Sequence, residues 1–273
     1  MSNKRPRLDE ETELQHEPDP VERMMFYYLQ SCSLEQRDAV RRRIYEIERN
    51  EHIKSFVTND LILTRPLVAF DLETTSLYPP GGPAPYILSM SFIKILPDKQ
   101  IRVFSTGNLR SWDGSVYVRC TEPSHPTALK MHGIEPEHTK DLRSFEELSQ
   151  DVYKFIRGCD VTGFNIAGFD IRVLTEEFKR VGITWKPLCV VDTMYLYNVV
   201  YQKRGTLGDA HKEFVGEYFV GAHNAEADAI AALRLLYSMV AKEKKIQRTV
   251  EHILRPVPRR PLGPTQSLPA VLG

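Results

Sequence analysis

With 273 residues, 42% of them apolar, the chain has material for one large core or two small ones. Lys+Arg and Asp+Glu each total 36, so no global charge steers it toward one class of partner, and a nucleic-acid footprint has to be local. The cysteines Cys32, Cys120, Cys159 and Cys189 are scattered without a C-x-x-C pair, which argues against a disulfide framework or a zinc site and fits a reducing compartment.

Residues 1–21 are polar and are expected to be disordered. They open on "MSNKRPRLDE", which is no secretory signal, and its basic knot "KRPR" is of the kind nuclear addresses use. No apolar run approaches the length of a membrane span. The expectation is an intracellular protein, nuclear or cytoplasmic, with no membrane partner. Residues 22–64 read as a helical extension, with Met24, Met25, Tyr28 and Leu29 at helical spacing. After a break, Ser33 and Gln36 stand in capping-box spacing, and Ala39, Ile44, Tyr45 and Ile47 continue the pattern. A hairpin lying on the main domain and a partner-docking arm both fit this segment.

The main domain is expected over residues 65–254. Val68, Ala69, Phe70 and Leu72 form a strand, and alternation places Asp71 and Glu73 on one face of it. "LYPPGGPAP" is a helix-proof loop, followed by strands "YILSMSFIKIL" and "IRVFSTG" joined at "PDKQ". "SFEELSQDVYKFIRG" opens with Ser144 and Glu147 in capping-box spacing and carries a helical apolar stripe. Then come a strand in "CDVTGFN", a helix in "FDIRVLTEEFKRVG" closed by Gly182, and a strand in "PLCVVDTM". "HNAEADAIAALRLLYSMVAKEKK" reads as one long helix closing the domain. Three strands followed by alternating strands and helices predict an α/β layered sheet with a hairpin at its start. Lys242, Lys244, Lys245 and Arg248 form a basic cluster, read as a solvated helix C-terminus or a nucleic-acid contact. Residues 255–273 are a Pro-rich tail, expected to be flexible.

Two carboxylates side by side repel, so Asp71 and Glu73 either face solvent or hold a cation. Alone, Asp170 between Phe169 and Ile171 reads as a helix cap, and His223 as a cap or surface residue. Asp228 lies about one turn inside the last helix, where Ala225, Ala229 and Ala232 allow close packing. In order, however, the strand D-x-E, the acid after G-x-N and the H-x-A-x-x-D helix start resemble the DEDDh (DnaQ-like) 3′–5′ exonuclease superfamily. "MHGI" (Met131–Ile134) and "VVDT" (Val190–Thr193) are similar to two further segments of that family. One departure is Phe164 before Asn165, where many proofreading-type members have His.

The resemblance implies a ribonuclease H-like mixed sheet flanked by helices, and hydrolysis of phosphodiester bonds from 3′ ends to nucleoside 5′-monophosphates. Asp71, Glu73, Asp170 and Asp228 would hold two Mg²⁺ or Mn²⁺ ions, with Asp71 between them and His223 as general base. Thr74 and Leu77 would hold the 3′-terminal nucleotide with His132 nearby. Their plain alternatives are a strand-end hydrogen bonder, a core residue and a turn residue; Asp192 is taken as structural. Hard cations favour oxygen ligands, and imidazole exchanges protons near neutral pH, so the residue types suit these roles. The expected partner is the 3′ end of nucleic acid, single-stranded DNA before RNA. A protein partner could dock on the N-terminal helices or the tail. A catalytically silent nucleic-acid-binding module is the reading from another class.

Overall fold

A computed structural model describes residues 28, 31–78, 82–106 and 114–255; the segment read as a disordered N-terminus, and the tail read as flexible apart from Arg255, lie outside them. The chain divides into two compact units, 1–47 and 48–273. In the first, the Ser33 amide donates to Gln36 Oε1 at 2.8 Å and the Gln36 amide to Ser33 Oγ at 3.2 Å. This reciprocal cap starts helix α1 (Leu34–Phe56), which runs on into the second unit.

The second unit is built on strand β1 (Leu67–Thr74). β2 (Ile87–Ile95) pairs antiparallel with it, β3 (Ile101–Val103) and β4 (Val116–Tyr117) pair with β2, and β5 (Asp160–Gly163) runs parallel to β1. β6 (Val190–Asp192) runs parallel to β5, giving the order β3-β2-β1-β5-β6. This is the expected mixed α/β sheet with a hairpin at its start. The two-residue β4 carries too little pattern to be read from sequence.

Both faces of β1 are covered, which is why its side chains are apolar on each side until Asp71. Leu67 and Ala69 pack with Leu233, Leu236 and Val240 of α8 (Ala225–Lys242) and with Ile246 and Val250 of α9 (Lys244–Leu254). Ile53 and Val57 of α1 join this layer. Val68, Phe70 and Leu72 point the other way, onto α4 (Phe145–Ile156) and α5 (Asp170–Arg180). The short helices are α2 (Pro126–His132), α3 (Pro136–Thr139), α6 (Thr193–Tyr195), which continues as a π-turn, and α7 (Leu207–Val215). The Ser144–Glu147 capping box forms as read.

One expectation fails. The long closing helix is two helices, because Glu243 turns to extended backbone and caps α9 by accepting from the Lys245 amide at 3.1 Å. Only Lys242 of the basic cluster therefore sits at a helix C-terminus, with Lys244 and Lys245 at the positive end of the next helix. Among the described residues no helix is long and apolar enough to cross a membrane.

Candidate active site

β1 pairs with β5 only as far as Ala69, so the β1 backbone beyond it is open on that side. Glycine is required where β5 turns away: a Cβ on Gly163 would stand 2.7 Å from the Phe70 carbonyl oxygen. Asp192, at the end of β6, ties down the turn that follows. Its Oδ1 accepts from the Asn165 amide and its Oδ2 from the Ala167 amide, each at 3.0 Å, while Oδ1 also caps α6 through the Met194 amide at 2.9 Å. The structural reading of Asp192 fits this bonding. The turn delivers Asp170 as the first residue of α5, 4% exposed. It is not the helix cap, since that position is Phe169. Instead Asp170 Oδ1 reaches the open strand and accepts from the Leu72 amide at 3.1 Å.

Asp71 and Glu73 alternate onto the opposite face of β1, toward α8. Asn224 caps that helix, its Oδ1 accepting from the Glu226 and Ala227 amides at 3.1 and 2.9 Å. Just before it, His223 adopts a left-handed φ of 68° and its amide donates to Asp228 Oδ2 at 2.9 Å. The entry to the helix is thereby folded back over its own first turn. Glu73, His223 and Asp228 each bring a potential ligand atom to within 4.8 Å of the others.

All four acids are pushed toward protonation. Burial raises Asp71 well above the carboxylate range, and Asp170, Asp228 and Glu73 add to it. Burial, then Asp228, lifts Glu73 to about 7. Asp170 is lifted to about 8 by burial, against hydrogen bonds from its own amide and that of Leu72. Asp228 rises to about 6, again by burial, against the amide and charge of His223. Such a cluster is stable with protons or a cation between its members. Directly across from Asp71 on β2, Ser91 is 2% exposed and its Oγ has no hydrogen-bond partner among the described residues. An oxygen-rich donor set with an unsatisfied hydroxyl beside it fits a hard divalent ion.

The accessory residues are placed less uniformly. Thr74 is buried and its hydroxyl donates to the Ser76 carbonyl at 2.8 Å, in accord with a strand-end hydrogen bonder. The Thr74 carbonyl lies 3.2 Å from His132 Nε2. His132 Nδ1 accepts from the Ile134 amide at 2.9 Å, so the proton sits on Nε2 and the ring is a neutral donor to Thr74. Burial favours that neutral form, and nearby His223 favours it further. Leu77 is 74% exposed, which overturns its alternative as a core residue.

The sequence reading missed Glu226 and Arg49. Glu226 is wholly buried two residues before Asp228, with Arg49 Nη1 of α1 at 2.9 Å from its Oε1. An arginine on a polar helix gives the same pattern whether it is solvated or buried, so nothing marked it.

Residues 68–236 match the Exonuclease family, more than half of the chain. The chain belongs to the exonuclease family. Its relatives include the 3′-5′ exonuclease DinG of Staphylococcus saprophyticus, 30% identical over 124 residues, or 44% of this chain and 13% of that one. DNA polymerase III subunit epsilon of Haemophilus influenzae is 29% identical over 144 residues, 51% of this chain and 53% of that one. The exonuclease domain thus spans about half or less of these relatives' length. E. coli exonuclease I in complex with a dT13 oligonucleotide shares the fold at TM-score 0.56 and 14% identity, over 68% of this chain and 43% of that one. So does the nuclease domain of 3′hExo, a DEDDh family member bound to rAMP, at TM-score 0.52 and 13% identity, over 66% and 94%. The ribonuclease H-like arrangement of this exonuclease-family chain is common to both.

Proposed function

We propose that the chain is a metal-dependent 3′–5′ exonuclease that releases nucleoside 5′-monophosphates, with single-stranded DNA ends as its favoured substrate. The observation that carries this reading is the convergence of Asp71, Glu73, Asp170 and Asp228, all with raised pKa values, around the open end of β1 beside His223. The likeness to the 3′-5′ exonuclease DinG supports the activity, and the oligonucleotide on exonuclease I supports DNA. The rAMP on 3′hExo supports RNA as the second substrate.

In this reading Asp71, Glu73, Asp170 and Asp228 would hold two Mg²⁺ or Mn²⁺ ions. Such ions would make water more acidic and neutralise charge building on the phosphate oxygens. His223 takes a proton from the attacking water, and its exposure to solvent lets it pass that proton on. Asp228 keeps the imidazole beside the carboxylates through its bond to the His223 amide. The terminal nucleotide rests on exposed Leu77 and on the strand end at Thr74, which His132 braces. A second reading makes His223 a metal ligand, favoured by its ligand atom lying within 4.8 Å of those of Glu73 and Asp228.

Residues 65–254 form the catalytic domain in this account, acting in the nucleus or cytoplasm, with the N-terminal helices or the tail available to a protein partner. The test uses 5′-labelled DNA and RNA oligonucleotides with Mg²⁺, Mn²⁺ or EDTA. A ladder that shortens from the 3′ end and stops with EDTA is expected. Immediate release of labelled mononucleotide contradicts the polarity, and no degradation contradicts the activity.

A further inference from the structure

We propose that Arg49, on a helix outside the family-matched region, is a positioning residue for the active site. It holds the first turn of α8 in place through Glu226, and with it His223 and Asp228. The inference rests on the catalytic reading of those two residues.

Residues two apart on a helix are about 200° apart around its axis, so Glu226 and Asp228 leave α8 in opposite directions. Asp228 looks to β1 and the acids. Glu226 looks back to α1, where it is 0% exposed and pairs with Arg49, itself 11% exposed, at 2.9 Å. A carboxylate this deeply buried is tolerated only when paired, so the Arg49 guanidinium fixes where the turn can sit. The chain around residue 114 closes the other side. A Cβ on Gly114 would overlap the Glu226 carboxylate, and its φ of 76° favours glycine as well. Its neighbour Ser115 accepts from the Glu226 amide at 3.1 Å and donates to the Asn224 cap at 3.4 Å.

This bracing answers a local need. Gly221 and His223 both have positive φ, at 89° and 68°, and for histidine that conformation persists only where its surroundings over-determine it. The restraints are the His223 amide on Asp228 and the anchoring of the helix start on Asn224, Ser115 and Arg49. Releasing Glu226 lets the first turn shift and the imidazole leave its place beside Glu73 and Asp228. Arg49 and Glu226 act on the site only through the placement of this turn.

The test compares full-length wild type with Arg49→Met, Arg49→Lys, Glu226→Gln and a control, Arg65→Met. The control removes a different arginine, which pairs with Asp160 at 3.0 Å at the start of β5, away from the α8 turn. Turnover on 5′-labelled single-stranded DNA at saturating Mn²⁺ is measured below the melting temperature of every variant. The His223 ring signal is followed by NMR in metal-free protein. Arg49→Met and Glu226→Gln are expected to lose about 10–100-fold in kcat, the scale of ångström-sized misplacement, with KM little changed. Their His223 signal should move, Arg49→Lys should recover most of the rate, and Arg65→Met should lose stability but neither readout. An unmoved His223 signal with wild-type kcat in Glu226→Gln overturns the proposal, as does an equal fall in the Arg65 control. Should Arg49→Met fail to fold, Arg49→Lys and Glu226→Gln still decide. An inactive wild type would sink the exonuclease reading, while the ring signal would still report on the positioning.

Discussion

Two regions of the fold treat their buried acids differently. Asp160 is met by Arg65 through both carboxylate oxygens, at 3.0–3.2 Å, Glu177 by Arg180 at 3.0 Å and Glu226 by Arg49 at 2.9 Å. At the open end of β1, by contrast, every acid that raises Asp71 is itself raised, and the charges acting on it are all carboxylates. Where Asp160, Glu177 and Glu226 are neutralised by arginine, this cluster is left to be neutralised by something the chain binds. The paired acids hold the architecture together, and the clustered ones leave it strained. Substituting one member of each class should therefore have opposite consequences.

Asp71→Ala or Asp228→Ala should abolish nuclease activity, with melting temperature unchanged or raised in Asp71→Ala because repulsion falls. Ladder assays beside thermal melts check this, and retained turnover in either variant would remove that acid from the site. His223→Ala should keep its metal-induced stabilisation and lose about 10²–10⁴-fold in rate at saturating Mn²⁺, the usual worth of a general base. Loss of the stabilisation as well would move His223 among the ligands. Asp160→Ala should do the reverse of the acid variants. It leaves the partly buried Arg65 guanidinium without its carboxylate, costing about 3 kcal/mol of stability. At about 2–4 °C per kcal/mol for a domain of this size, that is a clear fall in melting temperature. The rate per folded molecule should stay at the wild-type value, and a specific loss there would show that the two classes of acid are coupled.

The clustered residues were expected from the sequence chiefly as an ordered set resembling a known family, since Asp170 and His223 taken alone read as a cap or surface residue. Asp71 and Glu73 interrupt an apolar strand at period two, and His223 and Asp228 flank an alanine-rich helix start. The Ser144–Glu147 box announced where its helix starts, and the apolar stripe after it announced the helix. The paired class was silent, since a surface arginine and a buried one occupy the same kinds of position in a polar helix, as with Arg49. The break at Glu243 was hidden because Met239, Val240, Ile246 and Val250 carry apolar positions straight across it. Leu77 shows the converse, an apolar residue that composition assigns to a core and that the strand end turns into solvent.

The central claim, that the clustered acids await a cation, is tested most directly by melting the protein across pH with and without Mn²⁺. Folded-state values of about 7, 8 and 6 for Glu73, Asp170 and Asp228 lie above those of unfolded carboxylates. The folded protein then binds the extra protons, so this stabilisation is complete below the unfolded values and is lost as pH rises through 6–8. Without metal, the melting temperature should fall from pH 5.5 to 8.5 by at least several degrees, at about 2–4 °C per kcal/mol. Mn²⁺ should reverse the fall, by more at higher pH, and do so far less in Asp71→Ala. A wild-type melt that ignores both pH and Mn²⁺ would contradict the account.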